Sequence, residues 1–316
     1  MIVAVGRVLG LCCAAALLTS CGVFHDPLHR ASTTSSSGPS EPSSTSSASA
    51  SATSGSPSAS ATTRRQVPTL PPATPQAWES GISELEAAHD ARLGVAWLDQ
   101  GVQLHRSGTW TTGVAWSTIK VPLSVAALTA DPSATTETRV RQAITVSSNA
   151  DAEALWQQLG GDAAAAPKVE AVLARCGDTT TRVNRTKTRT EFSSFGQTPW
   201  SLASQVQCLT RLRATAQGRQ VMALMSEVAA EQRWGLGTVE GAQFKGGWGP
   251  DTQGRYECRQ MGLLPVRGRP VPVAIAAAPR SGSQQDCQQA LTALTRWLTT
   301  SWKQHGMPSA APTVVP

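Results

Sequence analysis

Lysine is scarce in this chain, with 5 residues against 22 arginines in a total of 316. Tyrosine is scarcer, a single Tyr256, and the five histidines never form a His-Glu-x-x-His pair. There is no Cys-x-x-Cys, no cluster of carboxylates and no Gly-x-Ser-x-Gly elbow. These gaps argue against a metal centre, a bound cofactor and the nucleophile-elbow hydrolases. The net charge is +6 but contains no Lys/Arg block, so attraction to anionic lipid or cell-wall polymers is expected, and nucleic acid is not. The most apolar run, residues 8–18, is broken only by Gly10 and is too short to remain in a bilayer as a spanning helix.

That run, preceded by Arg7, reads as an export signal over residues 1–21. It ends in Leu18-Thr19-Ser20-Cys21-Gly22, which resembles a bacterial lipobox, so Cys21 is the expected lipidation site and the outer face of the cell membrane the expected location. Residues 22–76 are Ser, Thr, Ala and Pro with almost no large apolar side chain. Such a stretch cannot bury enough surface to offset the entropy of ordering and reads as a disordered tether. Residues 77–305 have the composition of a globular domain, and residues 306–316 read as a second disordered segment. Four cysteines remain in the domain: Cys176, Cys208, Cys258 and Cys287. An even number in an exported domain suggests two disulfides. Of the three possible pairings, Cys176–Cys208 with Cys258–Cys287 is preferred because each joins neighbouring elements.

Periodicity predicts an amphipathic helix over 77–91 and a hairpin of strands 93–99 and 102–105 around Gln100-Gly101. A nearly all-apolar helix follows over 117–130, then helices over 151–159, 167–175, 201–214 and 219–230. Three strands over 243–246, 256–265 and 270–278 precede a closing helix over 284–304. The expected fold is α/β (α+β): a five-stranded antiparallel sheet assembled from both ends of the domain, flanked by the terminal helices, with an all-helical lobe inserted.

Two of the five lysines stand in clusters that serine chemistry can use. Ser117 and Lys120 are one helical turn apart on one face. A lysine in an apolar helix can lose its proton near neutrality, which arginine cannot, and can then deprotonate a serine. Ser147-Ser148-Asn149 and Lys245-Gly246-Gly247 follow in order. Each cluster alone has an ordinary explanation: Ser117 or Ser148 as a helix cap, the glycines as a turn.

Together, Ser-x-x-Lys, Ser-x-Asn and Lys-x-Gly resemble the motifs of the serine β-lactamase and penicillin-binding protein superfamily. More narrowly the chain resembles β-lactamase-fold lipoproteins of high-GC Gram-positive bacteria (LppW-like). The resemblance implies Ser117 as acylated nucleophile and Lys120 as its base. Ser147, Asn149 and Lys245 would form the surrounding network, with Ser147 relaying a proton. Gly246, Gly247 and Trp248 would line the substrate, and the N–H groups of Ser117 and Trp248 would bind the oxyanion. The single Tyr256 excludes the branch whose second motif is Tyr-x-Asn. Two departures stand out. Gly246 replaces the usual hydroxyl residue of the third motif, and Arg189-Thr190-Glu191, which has the spacing of a deacylating glutamate's loop, is closely followed by Thr198-Pro199. Glu191 is therefore expected to be a solvated carboxylate.

Two functions are compatible with this pattern. One is a serine acyl hydrolase or transferase acting on a small acyl-peptide, a β-lactam or a peptidoglycan fragment, weak as a β-lactamase. The other is a catalytically silent lipoprotein of the same fold that binds a cell-wall fragment or a protein partner. A monomer anchored to the membrane through Cys21, requiring no cofactor, is expected in either case. His89 and His105 are read as surface residues, and Trp116 and Trp248 as the tryptophans of the cleft.

Overall fold

The computed structural model describes residues 75–99 and 103–305. Cys21, the signal, most of the tether, the Gln100-Gly101 turn and residues 306–316 lie outside them. Helix α1 (Pro75–His89) leads into strands β1 (Ala91–Asp99) and β2 (Gln103–Ser107). The lobe that follows contains β3 (Thr112–Val114), a 3-10 turn (Trp116–Ile119), α2 (Lys120–Ala130), α3 (Ala134–Thr145), α4 (Asn149–Gln158) and α5 (Gly161–Arg175). It closes with β4 (Pro199–Ser201), α6 (Leu202–Leu212) and α7 (Ala216–Leu224). The chain then returns through β5 (Gln243–Pro250), β6 (Tyr256–Val266) and β7 (Arg269–Pro279) to α8 (Gln284–His305).

The main sheet has the order β2-β1-β7-β6-β5, antiparallel throughout, so its first and last segments meet at β1–β7 and β5 is left as an edge. Both faces are covered. Leu93, Val95 and Trp97 pack with Val273 and Ile275 against Ile82 of α1 and Leu291, Leu294 and Leu298 of α8. Ala96 and Leu98 of β1, with Ala274 and Ala276 of β7, face the helical lobe. Two buried faces explain why β7 reads as continuous apolar sequence without alternation.

The lobe is not all-helical as expected, because β3 and β4 pair in a two-stranded sheet. Helix α3 escapes the periodicity because its face is Thr- and Arg-rich; Ser133 caps it, accepting from Thr136 N–H. Helix α5 begins at Gly161, six residues before Pro167, since the Ala163–Ala166 tract sustains helix across the proline. Helix α7 stops at Leu224 instead of 230, where Ser226 Oγ donates to Ala223 O at 2.6 Å. Helix α1 starts two residues earlier than 77, at Pro75, a position where the missing N–H costs nothing.

Cys258 and Cys287 form the expected disulfide, tying β6 to α8. Cys176 and Cys208 meet as expected, with sulfurs 2.8 Å apart, but both are free thiols buried in the lobe. Burial raises the Cys208 thiol well above its ordinary pKa, which suppresses the thiolate that disulfide formation requires.

Candidate active site

The turn carrying Ser117 is held against β5 by an unusually close approach. An ideal Cβ on Gly247 would lie 2.7 Å from Ser117 N, and one on Gly249 2.5 Å from the Trp116 ring. Two glycines of Lys245-Gly246-Gly247-Trp248-Gly249 thus have a packing use. Gly247 and Gly249 make room for Trp116 and Ser117. Trp116 adopts a φ of 48°, a backbone state that bulky residues rarely hold and that costs about 1–3 kcal/mol. Its surroundings maintain it: Trp116 Nε1 donates to Glu257 Oε1 at 2.9 Å, the ring meets Phe192 edge-on at 5.1 Å, and Ala115 N–H bonds Thr198 O at 2.8 Å. Burial raises the Glu257 carboxyl pKa, opposed by the Trp116 hydrogen bond.

Ser147 is the second strained residue, with φ 59° in the turn between α3 and α4. Ser148 caps α4, accepting from Asp151 N–H at 3.2 Å. The left-handed backbone at Ser147 turns both its carbonyl and its hydroxyl toward Lys120. Lys120 Nζ donates to Ser147 O at 2.6 Å, to Asn149 Oδ1 at 2.8 Å and to Ser147 Oγ at 3.3 Å. From the opposite wall, Lys245 Nζ donates to Ser147 Oγ at 2.8 Å and to Gly246 O at 2.9 Å. Both lysines are buried, at 2% and 0% exposure, and one serine hydroxyl links two ammonium groups.

Burial lowers Lys120 to a pKa of about 7, against the pull of the Asp151 carboxylate, which raises it. Lys245 is pushed well below the usual ammonium range by burial and by the charge of Lys120. Desolvation is the largest cause at both lysines, and the repulsion between two ammonium groups is mutual.

The Ser117 hydroxyl is half-buried and makes no hydrogen bond to Lys120 or to any other described residue. On edge strand β5, Phe244 N–H points away from β6, donating to Met225 O at 3.0 Å. The two-residue period puts the Gly246 and Trp248 N–H groups on that same open edge. The Trp248 N–H and the Ser117 backbone therefore share one end of the cleft, as an oxyanion pair requires.

Glu191 is outside this group. Arg189 holds it by paired bonds of 3.0 and 2.9 Å from Nε and Nη2, and donates through Nη1 to Pro250 O at 2.5 Å. The Glu191 side chain is 54% exposed, and its pKa is lowered by a backbone hydrogen bond and by Arg189. His105 bonds Asp99 at 3.1 Å and stacks on Trp97. It faces no serine, and His89 ends α1. Among the described residues no group of three or more His, Cys, Asp or Glu could hold a metal ion. Glu257, Gly249, Phe192 and Asp151 are site residues that the motifs did not mark. The glycine repeat in Gly246-Gly247-x-Gly249 is the one signal that pointed toward them.

No protein-family model and no curated protein matches the chain by sequence. Solved structures do. A class A β-lactamase from Mycobacterium abscessus superposes with a TM-score of 0.58 at 18% identity, covering 71% of this chain and 99% of that one. The chromosome-encoded β-lactamase of Vibrio parahaemolyticus gives 0.57 at 16% identity, covering 72% and 99%. A variant of the reconstructed last common ancestor of Gram-negative class A β-lactamases gives 0.56 at 20% identity, covering 72% and 99%. The domain has the fold of the serine β-lactamase and penicillin-binding protein superfamily, over nearly the whole length of its class A members.

Proposed function

We propose that the chain is a serine acyl hydrolase or transferase that forms an ester on Ser117 with a D-alanyl peptide or β-lactam-like substrate, and that it is slow as a β-lactamase. The observation that carries this reading is the convergence of two buried lysines on the Ser147 hydroxyl, one of them, Lys120, a single helical turn from Ser117. Burial that lowers Lys120 to about 7 brings its neutral form, the state a base needs, into the physiological range. In the step, neutral Lys120 takes the Ser117 proton as Oγ bonds to the substrate carbonyl carbon. The oxygen becomes an anion facing the Ser117 and Trp248 N–H groups. The bond to the leaving group then breaks, and Ser147, resupplied from Lys120 and Lys245, donates the proton that the leaving group requires. The Ser117–Lys120 hydrogen bond forms only when substrate is bound, a common tightening in such sites. Glu191, held by Arg189, is not positioned to activate a deacylating water, so the ester persists.

Export, attachment of a lipid at Cys21, the tether over residues 22–76 and a monomeric domain at the outer face of the cell membrane complete the proposal. The LppW-like resemblance belongs with it. The second reading, a silent binding protein, is favoured by Gly246 and by the displaced Glu191. A serine-reactive phosphonate and a fluorescent penicillin decide between them. Covalent labelling of wild type and none of Ser117→Ala supports the acyl-enzyme. An unlabelled but folded wild type leaves the binding protein.

A further inference from the structure

We propose that the part of the site beside Gly246 recognises a neutral, apolar or aromatic leaving group rather than a carboxylate. The proposal rests on the acyl-enzyme reading only to say which end of the substrate lies there. Ser147 protonates the leaving group in that scheme and bonds Lys245 at 2.8 Å, next in sequence to Gly246. An ideal Cβ on Gly246 would lie 3.5 Å from the Trp248 ring and 3.6 Å from Trp234, so the ground beside this backbone is indole. The two indoles meet edge to face at 5.7 Å. Gln260, opposite Gly246 on β6, fixes the Trp234 segment: its Oε1 accepts Leu236 N–H at 2.7 Å and its Nε2 donates to Trp234 O at 2.8 Å. Opposite Trp248 stands Cys258, closed in its disulfide.

No exposed cation is left over at this end: Arg259, opposite Gly247, has Nε and Nη2 without partners but is only 1% exposed. Lys245 is committed to Ser147 and Gly246 O, and Arg233, beside Trp234, donates to Val228 O at 2.9 Å and Ser226 O at 2.6 Å. Arg189 is occupied by Glu191 and Pro250 O. A carboxylate here would lose hydration without gaining a charged partner, which is costly, whereas a ring would gain contact with two indoles. Val146, adjoining Ser147, is the exposed large apolar side chain among the described residues, at 46%.

The test uses binding, so it does not require turnover. The Ser117→Ala protein is titrated with N-acetyl-D-alanyl-D-alanine and with the C-terminal benzylamide of the same dipeptide, read by tryptophan fluorescence and calorimetry. The benzylamide is expected to bind at least tenfold more tightly. Gly246→Thr, whose added Cβ meets only ordinary contacts, and Trp234→Ala should each reduce that ratio; Gly246→Thr keeps the test decisive if Trp234→Ala fails to fold. Equal affinities, tighter binding of the carboxylate, or no measurable binding of either ligand overturns the inference. Phosphonate labelling of wild type reports separately: labelling alongside a preference for carboxylate keeps the acyl-enzyme and removes only this subsite.

Discussion

Two pairs of charged residues in this domain look equally promising as letters and meet opposite fates. Lys120 and Lys245 are separated by 125 positions, yet both end against Ser147 Oγ in a space with almost no exposure. Arg189 and Glu191 are two positions apart and bond each other at the surface. The first pair has its ionisation altered by desolvation, to about 7 at Lys120, and becomes chemically useful. The second shields itself, keeping Glu191 charged and turned to water. Burial against distant elements, and not spacing in the chain, shifts the ionisation of the lysines here.

The sharpest way to break this contrast is Lys120→Met. Phosphonate labelling of Ser117 should slow by about 10²–10⁴-fold, the usual contribution of a positioned base, as read by the time course of intact mass. The pH dependence should come next. Labelling should rise about tenfold per pH unit below a midpoint near 7 and level off above it, because only unprotonated Lys120 is a base. A flat profile from pH 5 to 9 would remove Lys120 from that role.

The same pKa has a consequence for stability. With a folded value of about 7 and an unfolded one near 10.5, the unfolded chain binds more protons between those limits. Lys120 therefore makes the fold gain stability as pH rises through that window, by about 1.4 kcal/mol per unit. Lys245, also lowered, acts in the same sense. Urea unfolding at pH 7, 8 and 9 should show the rise, and Lys120→Met should reduce its slope. Removing the Cys258–Cys287 link, whose partners are 29 positions apart, should lower stability by about 3.6 kcal/mol in the loop-entropy picture. Cys176→Ala with Cys208→Ala tests the other pair, where no bond is lost. The smallest effect belongs to Glu191→Gln: less than a twofold change in labelling rate, with a change above tenfold showing that the surface pair joins the chemistry after all.

Much of this was readable before folding was considered. The sheet built from both ends followed from apolar β-branched runs at 256–265 and 270–278 and from the leading hairpin. Helix α8 followed from its 3–4 spacing, realised in Cys287, Ala290, Leu291, Leu294 and Leu298. Helix α3 did not follow, although Thr136, Val140, Ala143 and Ile144 recur at helical spacing, because threonines at 136 and 145 make its buried face partly polar. Pro167 concealed the first six residues of α5. At the site, Lys120, Ser147, Asn149 and Lys245 were legible because a lysine is conspicuous in an arginine-rich chain. Glu257 was not, since its partner Trp116 lies 141 positions away.

Local order and composition were sufficient for most element types, the antiparallel class of the main sheet and the short list of polar residues that converge, Lys120, Ser147, Asn149 and Lys245, because propensity, periodicity and side-chain chemistry belong to the residues themselves. Three matters were settled only when distant segments packed: that burial lowers both lysines, why Gly247 and Gly249 must lack side chains, and why Glu191 faces water. Each depends on desolvation or on contact across more than fifty positions. A one-dimensional string has no term for either until the sheet brings β5 against the turn that carries Ser117.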